Sequence, residues 1–70
     1  MNLTYDAIKN LTNEELKEAY HELKVGLPIR NKSIVRRTQS ALYYENGCTV
    51  AMVKVQYRIA MEMLERFYEN

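Results

Sequence analysis

The chain has one cysteine, one histidine, one proline, two glycines and no tryptophan in 70 residues. Each scarcity closes off a way of building or using a small protein. Cys48 alone can form no intramolecular disulfide, and with His21 the sole histidine, a His/Cys zinc site is short of ligands. Gly26 and Gly47 are isolated, so no Gly-rich loop is available to cradle a phosphate. No stretch approaches the roughly 18 apolar residues of a membrane span. Met1 to Asn10 contains Asp6 and Asn10 and lacks the apolar run of a secretory signal. With a single free thiol suited to a reducing compartment, the expectation is a cytoplasmic protein without cofactor, metal or membrane contact.

What is present is one small domain, residues 1–70, that must stabilise itself without staples. At this length folding hides only about 60% of the unfolded surface, which leaves regular helix packing and self-association as the remaining devices. The net charge is +1, but the charges are segregated. Glu14, Glu15, Glu18 and Glu22 come first. From Leu23 to Tyr44 there is then no acidic residue, while Lys24, Arg30, Lys32, Arg36 and Arg37 all fall there. Such blocks describe surfaces rather than fold.

The punctuation predicts an all-α, three-helix domain with helices near 12–25, 30–45 and 49–69. Thr12-Asn13-Glu14-Glu15 is a capping box, in which the threonine hydroxyl and the glutamate each satisfy a backbone N–H of the first turn. Leu16, Ala19, Tyr20 and Leu23 follow at helical spacing, and Gly26 before Leu27-Pro28 supplies a left-handed stop. Before this helix, Thr4 to Asn10 suits a short helical turn that lays Tyr5 and Ile8 on the core. The second helix starts between Pro28 and Ser33. It carries Ile34, Val35, Thr38, Ala41 and Leu42 on one face, with Lys32, Arg36, Gln39 and Tyr43 opposite and Arg37 and Tyr44 beside them. Asn46-Gly47 has two readings. It ends this helix, or it forms the tight turn of a β-hairpin in an α+β fold, supported by the alternation of Val53-Lys54-Val55-Gln56-Tyr57-Arg58-Ile59. The run from Cys48 to Asn70 contains neither Gly nor Pro and is too long for an ordinary strand, which favours a helix.

That third helix is apolar on two sides. One stripe joins Val50, Val53, Tyr57, Ala60, Met61, Leu64, Phe67 and Tyr68; a second joins Met52, Val55, Ile59 and Met63. Only Lys54, Arg58, Glu62, Glu65 and Glu69 form a narrow polar side. A helix apolar most of the way round must be covered from more than one direction. Either it is the central element, clasped by the other two helices, or the Met52–Val55–Ile59–Met63 stripe meets another chain. A twofold homodimer is then the first expectation and a groove on a target protein the second.

A nucleophile paired with a base, clustered carboxylates and a metal-ligand set are all missing from the pattern, so the function expected is binding rather than catalysis. Arg30, Lys32, Arg36 and Arg37, followed by Tyr43 and Tyr44, are the candidate contact surface. These residue types meet carboxylates or phosphates and bury well at interfaces. An acidic protein surface is the expected target, with DNA or RNA the alternative. Against the second, the link from Gly26 to Ser33 is longer than a helix-turn-helix turn, and the pI of about 7.8 is low for a nucleic-acid domain. Leu11-Thr12-Asn13-Glu14-Glu15-Leu16-Lys17-Glu18-Ala19-Tyr20 resembles the first helix of the Sda-type helical-hairpin inhibitors of sporulation histidine kinases. The resemblance covers only these residues and implies that a helical protein this small can act as an inhibitor. The resulting expectation is a small protein-binding regulator or inhibitor, a homodimer, of the kind that bacteria and phages encode. A structural subunit of a larger assembly is the further alternative.

Overall fold

The helix boundaries lie where side chains can satisfy the free backbone groups at each end. In the computed structural model, which describes residues 2–26 and 32–68, these are α1 (Asp6–Lys9), α2 (Asn13–Val25), α3 (Ile34–Asn46) and α4 (Met52–Phe67). The Thr12 hydroxyl accepts from the Glu15 N–H at 3.1 Å and the Glu15 carboxylate accepts from the Thr12 N–H at 2.9 Å, so the expected capping box opens α2. Gly26 and Gly47 close α2 and α3 with φ of 65° and 70°, a left-handed conformation that costs glycine little. Asn46-Gly47 is therefore a helix end rather than a hairpin turn, and no strand occurs among the described residues.

Two starts differ from expectation. α3 begins at Ile34 rather than near residue 30, because Ser33 is its N-cap and accepts from the Arg36 N–H at 3.2 Å. α4 begins at Met52 rather than near 49. The Val50 side chain is buried in the core, and its carbonyl accepts from the Gln39 amide at 3.0 Å, which holds this stretch in non-helical backbone. Residue 69, where the last helix was expected to end, lies outside the described residues.

One core joins all four helices: Ile8 of α1, Leu16 and Ala19 of α2, Val35 and Leu42 of α3, and Val55 and Ile59 of α4, with Val50 between them. The short N-terminal turn lays Ile8 on this core as expected, with Tyr5 partly buried beside it. The largest correction concerns α4. Val55 and Ile59 are fully buried, and Met52 and Met63 pack partly buried against the same cluster. The stripe expected to form the oligomer interface is thus occupied by the chain's own α1, α2 and α3, all of which pack on α4. Val53, Tyr57, Leu64, Phe67 and Tyr68 of the other stripe face outward.

Long-range polar contacts pin the elements together. Glu22 of α2 accepts from the Ser33 hydroxyl at 2.5 Å and from the N–H groups of Ile34 at 2.9 Å and Val35 at 3.1 Å, capping α3 from outside. Glu45 of α3 does the same for α1, accepting from the Thr4 hydroxyl and from the N–H groups of Asp6 at 2.8 Å and Ala7 at 2.9 Å. Burial pushes both carboxyls up, but these hydrogen bonds outweigh it and hold them below their ordinary value near 4.5. Glu15 is lowered as well, first by the Thr12 N–H and then by Arg37. A lowered carboxylate adds stability above its unfolded pKa and loses it as pH falls through its folded pKa. The urea midpoint should therefore hold from about pH 7 to about pH 5 and fall progressively in more acid solution. Glu22→Gln and Glu45→Gln should each flatten that fall, as measured by far-UV dichroism in urea across the pH series. An unchanged acid slope in both variants would contradict the capping role.

Candidate partner-binding faces on α3 and α4

Where the outer face of α3 lies follows from its inner one. Ile34, Val35, Thr38 and Leu42 are buried; the Thr38 hydroxyl donates to the Ile34 carbonyl at 2.7 Å, so it adds no unsatisfied polar group to the core. At about 100° per residue the opposite side carries Arg36, Arg37, Ser40, Tyr43 and Tyr44, all exposed. Four of the six residues expected to form a contact surface thus share one face. Lys32 is exposed just ahead of the Ser33 cap, and Arg30 lies outside the described residues. Ala41, expected on the buried side, is exposed.

Tyr43 and Tyr44 meet edge to face with ring centroids 5.5 Å apart, and Tyr44 is 84% exposed. Each ring thus supports the other while leaving much of its surface to solvent, where a stiff, amphipathic group is available to a partner. The arginines beside them differ. Arg37 pairs with Glu15 of α2, with both side chains substantially exposed, whereas Arg36 makes no ion pair among the described residues. The acidic side of α2 thus abuts the basic face of α3 and neutralises part of it.

The outer face of α4 carries most of the first of its two apolar stripes. Val53 is 71% exposed and Tyr57 61%, and Leu64, Phe67 and Tyr68 are also open to solvent. Tyr57, which its spacing sets on an apolar stripe, stands outside the core, while Tyr20 is half-buried. Shallow notches lie along this helix. One is lined by Tyr5, Val53, Lys54, Tyr57 and Arg58, and another by Tyr20, Ala60, Met63, Leu64 and Tyr68. Cations cover two rings: Arg58 lies 4.3 Å from the Tyr5 centroid and Lys17 lies 5.1 Å from that of Phe67.

His21 is exposed on α2, and Cys48 is half-buried in the turn between α3 and α4. Among the described residues no group of three or more His, Cys, Asp or Glu side chains is placed to hold a metal ion. No helix among them is long and apolar enough to cross a membrane. In comparisons with protein-family models, with curated proteins and with solved structures, nothing matches this chain.

Proposed function

We propose that the chain is a non-catalytic regulator or inhibitor that acts by docking the outer face of α3 on an acidic surface of another protein. The observation that carries this reading is the shared exposure of Arg36, Arg37, Tyr43 and Tyr44 on one helix face that bears no carboxylate. Arginine supplies planar, bidentate recognition of carboxylates, and tyrosine supplies stiff contact area with a polar tip. Lys32 extends the same positive region toward the start of the helix. A protein target fits better than nucleic acid, because Glu15 stands against Arg37, with Glu14 and Glu18 exposed on the same helix as Glu15. An extended phosphate backbone would meet those charges, whereas a compact acidic patch need touch only α3. Given the lone thiol of Cys48, we place the protein in the cytoplasm.

The test is a tagged capture from nuclease-treated lysate of the native host, comparing the natural chain with Arg36→Glu/Tyr44→Ala. Both positions are exposed, so the variant should keep its helical dichroism and unfold within about 1 kcal/mol of the parent. A stoichiometric protein should be captured by the natural chain and lost, by tenfold or more, with the variant. Equal capture by both would show that α3 is the wrong face, and recovery of nucleic acid alone would show the wrong class of partner.

A further inference from the structure

We infer that the exposed stripe of α4 is a self-association surface, on which a second copy of this chain docks its own α4 antiparallel to the first. Val53, Tyr57, Ala60, Leu64 and Phe67 follow one another at steps of four, three, four and three residues, the spacing of a helix-pair seam. They lie on the side of α4 turned away from Val55 and Ile59, so a partner can reach them without disturbing the core. Tyr57, Phe67 and Tyr68 alone leave roughly 350 Å² open, at about 200 Å² for each fully exposed ring residue. With Val53 and Leu64 added, the patch reaches the upper part of the range of the largest apolar patch on an ordinary monomer, about 300–600 Å², a size that is often functional.

Charge identifies the occupant and its direction. One edge of the stripe carries Lys54 and Arg58 in its N-terminal half and Glu65, with Glu62 deeper behind it, in its C-terminal half. In an antiparallel pair this edge runs beside the same edge of the partner, so Arg58 of each chain falls next to Glu65 of the other. In a parallel pair it would face the opposite edge, Gln56 and Met63, and find no countercharge. Size complementarity agrees: with the twofold axis crossing at the level of Glu62, Ala60 of one helix lies opposite Leu64 of the other, and Tyr57 opposite Phe67. The notch lined by Tyr5, Val53 and Tyr57 lies toward one end of the stripe and that lined by Tyr20, Leu64 and Tyr68 toward the other, so each end of one copy meets the other end of its partner. This inference is independent of what α3 binds.

Sedimentation velocity from about 5 to about 500 μM covers the affinities expected of an interface of this size. The natural chain should move from a species of 8.3 kDa to one of twice that mass as concentration rises. Leu64→Glu should remain monomeric throughout with unchanged helical dichroism, since Leu64 is outside the core. Arg58→Glu and Glu65→Arg should each weaken association about tenfold, and the double exchange should restore it. A natural chain that stays monomeric at every concentration overturns the proposal, as does a dimer that survives Leu64→Glu. Failure of the double exchange to rescue overturns the antiparallel arrangement.

Discussion

Ile59→Asp should leave the chain without a cooperative unfolding transition at neutral pH, while Leu64→Asp, on the same helix, should retain both the transition and the helical dichroism. Ile59 is fully buried among the apolar groups of the core. Truncating it to alanine should cost about 3 kcal/mol, from lost transfer energy and the cavity left behind. A carboxylate at the same place adds the penalty of an unpaired buried charge, several kcal/mol more. A chain of this length has a total stability of roughly 4–10 kcal/mol, so the two effects together consume most or all of it. Leu64 is 42% exposed, and a charge there remains hydrated. Urea titration of Ile59→Ala, Ile59→Asp and Leu64→Asp by far-UV dichroism makes the comparison. A cooperative Ile59→Asp would place the core on the wrong side of α4.

That contrast marks where the sequence was informative and where it was not. Local signals were legible because their partners are neighbours in the chain: Thr12 with Glu15, and Gly26 and Gly47 at the helix ends. The choice between the two apolar stripes of α4 was not, since periodicity gives the angle between stripes and not which one turns inward. Two residue-level signals bore on it. The buried stripe holds Val55, Ile59, Met52 and Met63, none with a polar tip, whereas the exposed one holds Tyr57 and Tyr68, whose hydroxyls tolerate water. Glu62 and Arg66 also continue the buried side, and their ion pair at 2.9 Å keeps the charges satisfied there. Glu22 and Glu45 cap α3 and α1 across the fold. Nothing local announces such a role. On α3, Arg36, Arg37, Tyr43 and Tyr44 share a face, because a helix face follows from spacing alone once the buried side is known.

Arg66, which no sequence pattern singled out, should give the largest loss of any charged side chain outside the proposed binding faces. Its guanidinium donates to the carbonyls of Leu11 at 2.7 Å, Lys9 at 2.9 Å and Ile8 at 3.4 Å, and to the Asn13 side chain at 3.1 Å. It also pairs with Glu62, and both side chains are largely buried at 18% and 12% exposure. One planar group thus ties the end of α1 and the start of α2 to the last turn of α4, a task for which its fixed fork of donors is suited. Arg66→Met keeps most of the packing of the stem but leaves these carbonyls and the Glu62 carboxylate short of partners. Each lost charged hydrogen bond is worth about 1.5–3 kcal/mol, and solvent reaching the vacated site recovers part of it. A net loss of about 3 kcal/mol is expected, or roughly 12–24 °C in Tm for a chain of this size. Arg66→Lys should recover less than half, because a point ammonium cannot span carbonyls on three residues and a carboxylate at once. Adding Glu62→Gln to Arg66→Met should relieve some of the loss by removing the stranded charge. Hydrogen exchange separates this mechanism from general destabilisation: protection should fall first at the amides of α1, whose docking depends on the guanidinium, before those of α3. Uniform loss of protection, or an Arg66→Met chain within about 1 kcal/mol of the parent, would show that Arg66 does not hold the α1–α2 corner to α4.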